Sequence, residues 1–333
     1  MAEACRLTSE VFGIEGAAQP LTSERDQNFL ISGSGDDRFV LKIAGAREDP
    51  NALELQNSAL LAIAEHDPEL PAPRLRAGRD GELMHQASRD GRAHAVRLFT
   101  YLPGTPVSRL PPARNLQRAT GRVAARLDRA LAQVPRPAFE AEQVWDLKRA
   151  ADVRPFVRFI KGAEHRRQAD KVFARFEQHV LPILPNLRSQ VVHGDLNDNN
   201  ILAAPDAPAR VTGIIDFGDM VYAPLITEVA IAAAHQIYRD ADPVAAGCDL
   251  VGAYDSILPL GADELDVLPD LIATRLAVRM AMMARRDRDQ TGNLHFDRGV
   301  DAAIWQTITL LAARDRSSTT RMFRDACGQP VSP

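Results

Sequence analysis

Two polar side chains in the second half of the chain are spaced to hold a metal ion. Asn200 directly precedes a short apolar run at 201–203, and Asp216 directly follows a second run at 211–215. The intervening PDAPAR suits a hairpin loop, so antiparallel pairing would bring the start of the first strand beside the end of the second. An amide oxygen and a carboxylate at one sheet edge are hard ligands, which Mg²⁺ takes together with phosphate oxygens and water.

Asp195 lies in the loop that leads into this hairpin, within the pattern H-x-D-x-x-x-x-N that is followed by D-F-G. Protein kinases carry the same pattern, with His-Arg-Asp where this chain has His-Gly-Asp. In that chemistry the loop aspartate accepts the proton of the attacking hydroxyl, and metal neutralises charge on the phosphoryl oxygens. The competing interpretation makes Asp195 and Asp216 turn residues and Asn200 a local cap. We expect phosphoryl transfer, with His193 supporting the loop.

The first hundred residues are predicted to form strands around one helix. Residues 28–32 and 38–43 are β-type runs joined by GSGDD, a strong hairpin signal. Asp49 and Pro50 mark the start of a helix at 50–66, where leucines recur at helical spacing. A further strand pair is expected around 81–87 and 94–100.

Lys42 ends the second of these runs, FVLKI, where a kinase keeps its phosphate-binding lysine. Glu54 on the following helix is its natural ion-pair partner, and Glu48 is the alternative. A strand lysine by itself is more often a solvated edge residue, so this role depends on the motifs in the second half. The chain has no G-x-x-x-x-G-K-[ST], which excludes a P-loop.

The proline-rich segment 101–112 separates two predicted lobes. Residues 1–102 form the nucleotide-binding lobe, and residues 103–333 form a lobe with the catalytic loop, the metal site and acceptor-binding helices. The predicted fold class is α+β: an N-terminal antiparallel sheet with one main helix, and a larger, mainly helical lobe that carries a catalytic hairpin. Helices of the second lobe are expected at 114–134, 166–181, 225–238, 264–285 and 299–313.

Bulk composition narrows the function further. A net charge of −4 and a pI near 6.1 argue against nucleic-acid binding, which needs a basic excess. The cysteines, Cys5, Cys248 and Cys327, are odd in number and widely spaced, which excludes a disulfide framework and a typical zinc site. The chain has no apolar stretch of bilayer length and no signal-peptide pattern. We expect a cytoplasmic protein with no nucleic-acid or membrane partner; the oligomeric state stays open.

HGDLNDNNIL and GIIDFGD resemble the signatures of the aminoglycoside phosphotransferase and choline kinase superfamily, which has a protein-kinase-like fold. YLPGTP resembles the interlobe hinge of that family. Within it, DQNFLI, VLKIA, ELQN, WDLKR and IIDFGDMVYAPLITEVAIA are most similar to the hydroxylysine kinase-like phosphotransferases. The resemblance extends from about residue 20 to about residue 285.

The resemblance also assigns the donor site. It implies Asp195 as base, Asn200 and Asp216 as Mg²⁺ ligands, and ATP or GTP as the phosphoryl donor. The first hairpin has no G-x-G-x-x-G, as in the family, so the loop 23–28 is expected to hold the phosphates. The remaining donor-site residues are Lys42 paired with Glu54, the loop residues Ser23 and Asn28, and the backbone near Thr100 and Leu102.

The acceptor leaves alternatives open. A hydroxylysine-like acceptor is favoured; a homoserine-, choline- or aminoglycoside-type kinase and a nucleotide-binding pseudokinase are the alternatives. Arg275 and Arg279 share one face of an apolar helix, and they either snorkel to solvent or point inward. A buried arginine would indicate an acceptor with a carboxylate, whereas aminoglycosides imply a strongly acidic site. The candidate acceptor residues are Asp198, Asp219, Glu228, Arg275, Trp145 and Tyr222.

Overall fold

The computed structural model describes residues 1–23, 26–46, 48–89, 91–140, 143, 145–289 and 298–329. The chain forms two compact units. The N-terminal unit is Met1–Pro103 together with Gly213–Ile215, and the C-terminal unit is Gly104–Thr212 together with Asp216–Pro333. The functions predicted for 1–102 and 103–333 stay predictions.

The N-terminal unit is an antiparallel sheet with two helices. The strands are β1 (Ala17–Leu21), β2 (Gln27–Ser32), β3 (Arg38–Ile43), β4 (Leu75–Arg76), β5 (His85–Arg89) and β6 (Arg92–Thr100), and the helices are α1 (Ala2–Phe12) and α2 (Pro50–His66). The strand order is β1-β2-β3-β6-β4, with β5 also paired to β6. The predicted β2–β3 hairpin and the helix at 50–66 are confirmed. The sequence interpretation missed α1 and β1.

The two helices contact opposite faces of the sheet. Leu7 and Phe12 of α1 pack in one cluster with Ile31, Leu41 and Leu98. Because successive strand residues point to opposite faces, the neighbour of Leu98 on β6 faces the other way, toward α2. That neighbour is Arg97, which contacts α2 through hydrogen bonds.

The C-terminal unit is mainly helical. Its helices are α3 (Arg114–Leu131), α4 (Ala163–Arg175), α5 (Leu225–Ile237), α6 (Pro243–Asp255), α7 (Ala262–Asp289), α8 (Arg298–Ala313) and α9 (Arg316–Ala326), with a 3₁₀ segment at Leu147–Phe159. The predicted helices correspond to α3, α4, α5, α7 and α8. Neither α6 nor α9 was predicted. Two glycines weaken the helical signal of α6, although the cap of Asp242 on the N–H of Ala245 could have revealed its start.

The strands of this unit form two small sheets. They are β7 (Thr105–Pro106), β8 (Ser189–Val192), β9 (Ile201–Ala204), β10 (Ala207–Ile214) and β11 (Val221–Pro224), in the orders β10-β9-β7 and β11-β8. The hairpin of β9 and β10 is confirmed, but its predicted loop of six residues is wrong. Only Pro205 and Asp206 connect the strands. Pro208 fits within β10 because β10 is an edge strand, where a missing N–H costs no ladder bond.

Helix α5 is central to the C-terminal unit, because all of its 13 residues are buried. It packs along α7, and both also contact neighbouring helices. A helix that is buried on every side is apolar all round, so its two charged or ionisable members, Glu228 and His235, stand out. None of the described helices has the length and apolar character that a membrane span requires.

Candidate active site

The loop after β8 is held by close backbone packing. Gly194 adopts a φ of 78°, and a Cβ at this position would lie 2.2 Å from the carbonyl oxygen of Asp219. Only glycine fits such an approach. The N–H of Gly194 donates to Oε2 of Glu228 at 2.8 Å, so α5 anchors the loop. The backbone that presents the next residue, Asp195, is therefore fixed from two sides.

Both carboxylate oxygens of Asp195 accept hydrogen bonds. Oδ2 accepts from Nδ2 of Asn197 at 2.7 Å and from Nδ2 of Asn200 at 3.1 Å. Oδ1 accepts from Nη2 of Arg275 at 2.7 Å. The side chain of Asp195 still keeps 18% of its surface exposed. The arrangement fixes a carboxylate while leaving part of it open to a reactant.

Asn200 is oriented by the same contacts. Its Nδ2 also donates to the main-chain oxygen of Asp195 at 2.9 Å, so the amide nitrogen faces the loop. Among the described residues no donor reaches Oδ1 of Asn200, and that oxygen keeps its lone pairs for another partner. The strand β9 begins at the next residue.

Asp216 follows β10 after Ile215 and has φ 65° and ψ 68°. Of the residues that the structure describes, it is the one non-glycine with positive φ. Such a conformation is tolerated by aspartate but remains uncommon, and it clusters at functional sites. The side chain of Asp216 is exposed, while Phe217 beside it is buried and contacts the ring of His193 at 4.7 Å. His193 therefore packs against the residue that follows Asp216, and its predicted support of the catalytic loop stays a prediction.

The residues present fit a hard divalent cation. Asn200 offers an amide oxygen and Asp216 an exposed carboxylate, which are oxygen ligands of the kind that Mg²⁺ prefers. The described residues contain no cluster of three or more His, Cys, Asp or Glu that would form an all-protein cage. A cation here would thus complete its coordination with phosphate oxygens and water, as Mg²⁺ in nucleotide sites does.

Arg275 points inward. It is 2% exposed, and besides Asp195 it donates from Nη1 to the carbonyl oxygen of Trp145 at 3.2 Å. Its guanidinium also lies over the half-buried ring of Trp145, 5.2 Å from the centroid. Burial lowers the pKa of Arg275, although Asp195 and Asp219 oppose that effect. Arg275 remains charged and largely desolvated beside Asp195.

Asp198 faces the protein interior. It is 1% exposed, its Oδ2 accepts from the hydroxyl of Tyr238 at 2.8 Å, and its Oδ1 lies 3.6 Å from Nδ1 of His235. Burial alone would raise the pKa of Asp198, but His235, Tyr238 and the charge of Arg279 together lower it. The buried position of Asp198 does not favour contact with an acceptor. The sequence interpretation missed its partners His235 and Tyr238, because neither lies in a motif.

The other predicted acceptor residues occupy different surroundings. Glu228 is fully buried and holds Gly194, and burial raises its pKa. Asp219 lies in the turn Phe217–Asp219, half-buried, close enough to Arg275 to affect its pKa. Tyr222 on β11 accepts from Nζ of Lys148 through its carbonyl oxygen, and Arg136 lies over its ring. None of these contacts shows whether Glu228, Asp219 or Tyr222 binds an acceptor.

In the N-terminal unit, Lys42 lies on β3 with its Nζ 3.7 Å from Oδ2 of Asp26. The pairing with Glu54 that the resemblance implied is not seen among the described contacts, where Glu54 lies exposed on α2, and it stays a prediction. Asp26 reaches Lys42 from the end of the neighbouring loop and also accepts from the N–H of Gly45. The alternative partner, Glu48, stays open.

The contact that ties α2 to the sheet is made by Arg97, which stands opposite Lys42 in the β3–β6 register. Its Nη1 donates to Oδ1 of Asn57 at 3.0 Å and its Nη2 to Oε1 of Gln56 at 2.8 Å. Burial lowers the pKa of Arg97 to about 10. Gln56 and Asn57 belong to the ELQN segment. This segment therefore contacts the sheet through its two amide residues and not through Glu54.

The remaining donor-site candidates also lie in the N-terminal unit. Asn28 stands opposite Lys42 on β2, and among described atoms its buried Oδ1 has no hydrogen-bond partner. Ser23 is exposed and accepts from the N–H of Asp26 at 3.3 Å. Thr100 ends β6, where its hydroxyl accepts from the N–H of Arg74, and Leu102 follows half-buried.

Relatives of this chain are kinases. The model of the phosphotransferase enzyme family matches residues 17–259. Hydroxylysine kinase of Mus musculus is 30% identical over 305 residues, which cover 85% of this chain and 81% of that protein. The structure of a microcompartment-associated aminopropanol kinase matches with a TM-score of 0.70 at 17% identity, over 98% of each chain. An amicoumacin kinase matches with a TM-score of 0.69 at 14% identity, over 95% of this chain and 96% of that one.

The fold and the catalytic loop together define a phosphotransferase of the protein-kinase-like fold, and the predicted fold class is confirmed. The chain belongs to the phosphotransferase enzyme family. It is a small-molecule kinase that uses a hydroxyl group as acceptor and a nucleotide as donor.

Proposed function

We propose that this kinase transfers the γ-phosphoryl group of ATP or GTP to the hydroxyl of a small amine or amino acid, with a hydroxylysine-like acceptor favoured. The observation that carries the proposal is the carboxylate of Asp195, held on both oxygens yet partly exposed. A base in phosphoryl transfer needs orientation more than a high pKa, because the transition state is loose. Asp195 accepts the proton as the hydroxyl attacks.

The donor roles follow from the chemistry of each side chain. Asn200 and Asp216 would hold Mg²⁺, which would neutralise charge on the transferred phosphoryl group. Lys42 contacts the α/β-phosphates, with Asn28 and Ser23 in the loop around them and the backbone near Thr100 and Leu102 at the base. The amicoumacin kinase that shares the fold was solved in complex with AMP-PNP and Ca²⁺, which supports a nucleotide and a divalent cation.

Two observations favour a carboxylate-bearing acceptor over an aminoglycoside. Arg275 is buried beside Asp195, which agrees with the buried arginine expected for such an acceptor, although its charge is paired with Asp195. Curated relatives from four vertebrates carry the name hydroxylysine kinase. Asp219 supplies a half-buried carboxylate nearby for an ammonium group.

The test is a coupled assay of nucleoside-diphosphate release over hydroxylysine, homoserine, choline, ethanolamine and kanamycin, with ATP and with GTP. We expect turnover with hydroxylysine and loss of at least about 1,000-fold in kcat for Asp195→Asn, which keeps the shape but not the base. Asp206→Asn in the exposed hairpin turn is the matched control and keeps full activity. Equal turnover by wild type and Asp195→Asn would refute the proposal, and nucleotide binding without turnover on any acceptor would favour the pseudokinase.

A further inference from the structure

His235 is buried in the last turn of α5, with three charged side chains around its ring. Its Nε2 lies 3.4 Å from Nε of Arg275, and its Nδ1 lies 3.6 Å from Oδ1 of Asp198. Nη1 of Arg279 lies 3.2 Å from the same Nδ1. Because α5 and α7 pack along each other, the ring is fixed between the arginines of α7 and the loop residue Asp198.

A guanidinium N–H only donates, and a neutral ring has one accepting nitrogen, so the ring accepts either from Arg275 at Nε2 or from Arg279 at Nδ1. Acceptance from Arg275 puts the ring proton on Nδ1, which lies 3.6 Å from Oδ1 of Asp198. Burial lowers the pKa of His235 most, and Arg275 and Arg279 lower it further against the opposing effect of Asp198. The ring is therefore neutral near pH 7, and a continuous chain of contacts runs from Asp198 through His235 and Arg275 to Asp195.

We propose that His235 is a positioning residue for phosphoryl transfer: it fixes the guanidinium of Arg275 in the orientation that holds Oδ1 of Asp195. The proposal rests on the proposed function in taking Asp195 as the base. Arg275 has three anchoring contacts, Nη1 on Trp145, Nη2 on Asp195 and Nε on His235. Without an acceptor for Nε, the guanidinium keeps a buried, unpaired N–H and gains freedom to turn, and Asp195 loses its fixed geometry.

A role in packing alone does not account for this ring. Ala232, Ala233 and Ala234, which precede it on α5, are fully buried, and the polar Gln236 that follows it is buried too. An apolar side chain at position 235 would fill the volume without placing a polar ring against two guanidinium groups and a carboxylate, which is costly unless every partner is satisfied. The ring gives Nε of Arg275 an acceptor, which a leucine cannot.

The experiment compares His235→Leu and His235→Gln in the full-length enzyme, measuring kcat, the KM of nucleotide and acceptor, and thermal unfolding. Glutamine can still accept from Nε of Arg275 through Oε1, whereas leucine cannot. We expect His235→Leu to lower kcat by about 10- to 100-fold, with the nucleotide KM changed by less than about twofold, and His235→Gln to recover most of kcat. His165→Leu, on α4 with its ring stacked on Trp305, is the control and keeps wild-type kcat.

Two results would overturn the positioning role. One is a kcat of His235→Leu within about twofold of the wild-type value; the other is an equal loss of kcat in the leucine and glutamine variants. Both results are interpreted only if the wild type phosphorylates an acceptor and the Asp195→Asn variant does not. Failure of that pair instead refutes the proposed function.

Discussion

The guanidinium of Arg275 on α7 pairs with the carboxylate of Asp195 at 2.7 Å, across a sequence separation of 80 residues. The side chain of Arg275 is 3% exposed and that of Asp195 is 18% exposed, so the pair is largely removed from water. Removing one partner from such a pair leaves an uncompensated buried charge, which costs more than the loss of a surface ion pair. Helix α7 thus contributes directly to the orientation of the catalytic loop.

Substitution of Arg275 is expected to impair turnover more than nucleotide binding. Arg275→Met removes the charge that holds Oδ1 of Asp195, and we expect kcat to fall by about 100-fold. Arg275→Lys keeps the charge but loses the planar fork, so we expect a smaller fall of about 10-fold. Steady-state kinetics with both substrates measure the effects. Arg288→Met, exposed near the end of α7, is the control; unchanged kcat in Arg275→Met would contradict the assignment.

Arg97→Met is expected to destabilise the N-terminal unit. The change leaves the buried side-chain oxygens of Gln56 and Asn57 without their donor, at a cost of about 2–4 kcal/mol in the free energy of unfolding. Urea denaturation measures the cost. A double-mutant cycle with Asn57→Ala should give a coupling of about 1 kcal/mol or more, because the two side chains are in contact. Arg92→Met, at an exposed residue at the start of β6, should leave the free energy of unfolding unchanged. Additive effects of Arg97→Met and Asn57→Ala would contradict the role of Arg97 in holding α2.

Asp128 on α3 predicts a dependence of stability on pH. It is fully buried, its Oδ2 accepts from the hydroxyl of Tyr254, and burial and the nearby Glu228 raise its pKa well above the usual value of 3.8. A carboxyl with a raised folded-state pKa favours folding while protonated, and that contribution is lost as pH rises from about 4 through the folded-state pKa. Asp128→Asn stays neutral, so its stability relative to wild type should increase with pH.

Urea denaturation of wild type and Asp128→Asn at several pH values tests this dependence. Asp152→Asn, at an exposed carboxylate, serves as the control and should follow the wild-type profile. Parallel pH profiles for wild type and Asp128→Asn would show that Asp128 ionises normally in the folded protein.

Gly194→Ala is expected to abolish most activity. The new Cβ would lie 2.2 Å from the carbonyl oxygen of Asp219 at a φ of 78°, so the loop must shift and carry Asp195 with it. We expect kcat to fall by about 100-fold or more, with a loss of stability seen by thermal unfolding. Gly91→Ala separates the two causes, because Gly91 has a φ of 73° with open space around it. Equal losses of kcat in Gly194→Ala and Gly91→Ala would show that the close approach to the carbonyl oxygen of Asp219 is not the cause.

Local patterns predicted much of the fold. Asp49 caps α2 at the predicted start, and the alternation of β3 follows from its own residues. Elements whose signals are weak or unconventional were missed or misjudged. The two glycines of α6 reduce helical propensity, and Pro208 suggested a loop although an edge strand accommodates it.

The sequence by itself determined the class of reaction, because Asp195, Asn200 and Asp216 lie within one short segment whose spacing is chemically restrictive. Only the tertiary structure decided which side chains support them. Arg97 of the sheet contacts Gln56 and Asn57 of α2 and not Glu54, and Arg275 and His235 reach the catalytic loop from distant helices. These partners depend on how remote elements pack, and the spacing of residues along the chain does not encode that packing.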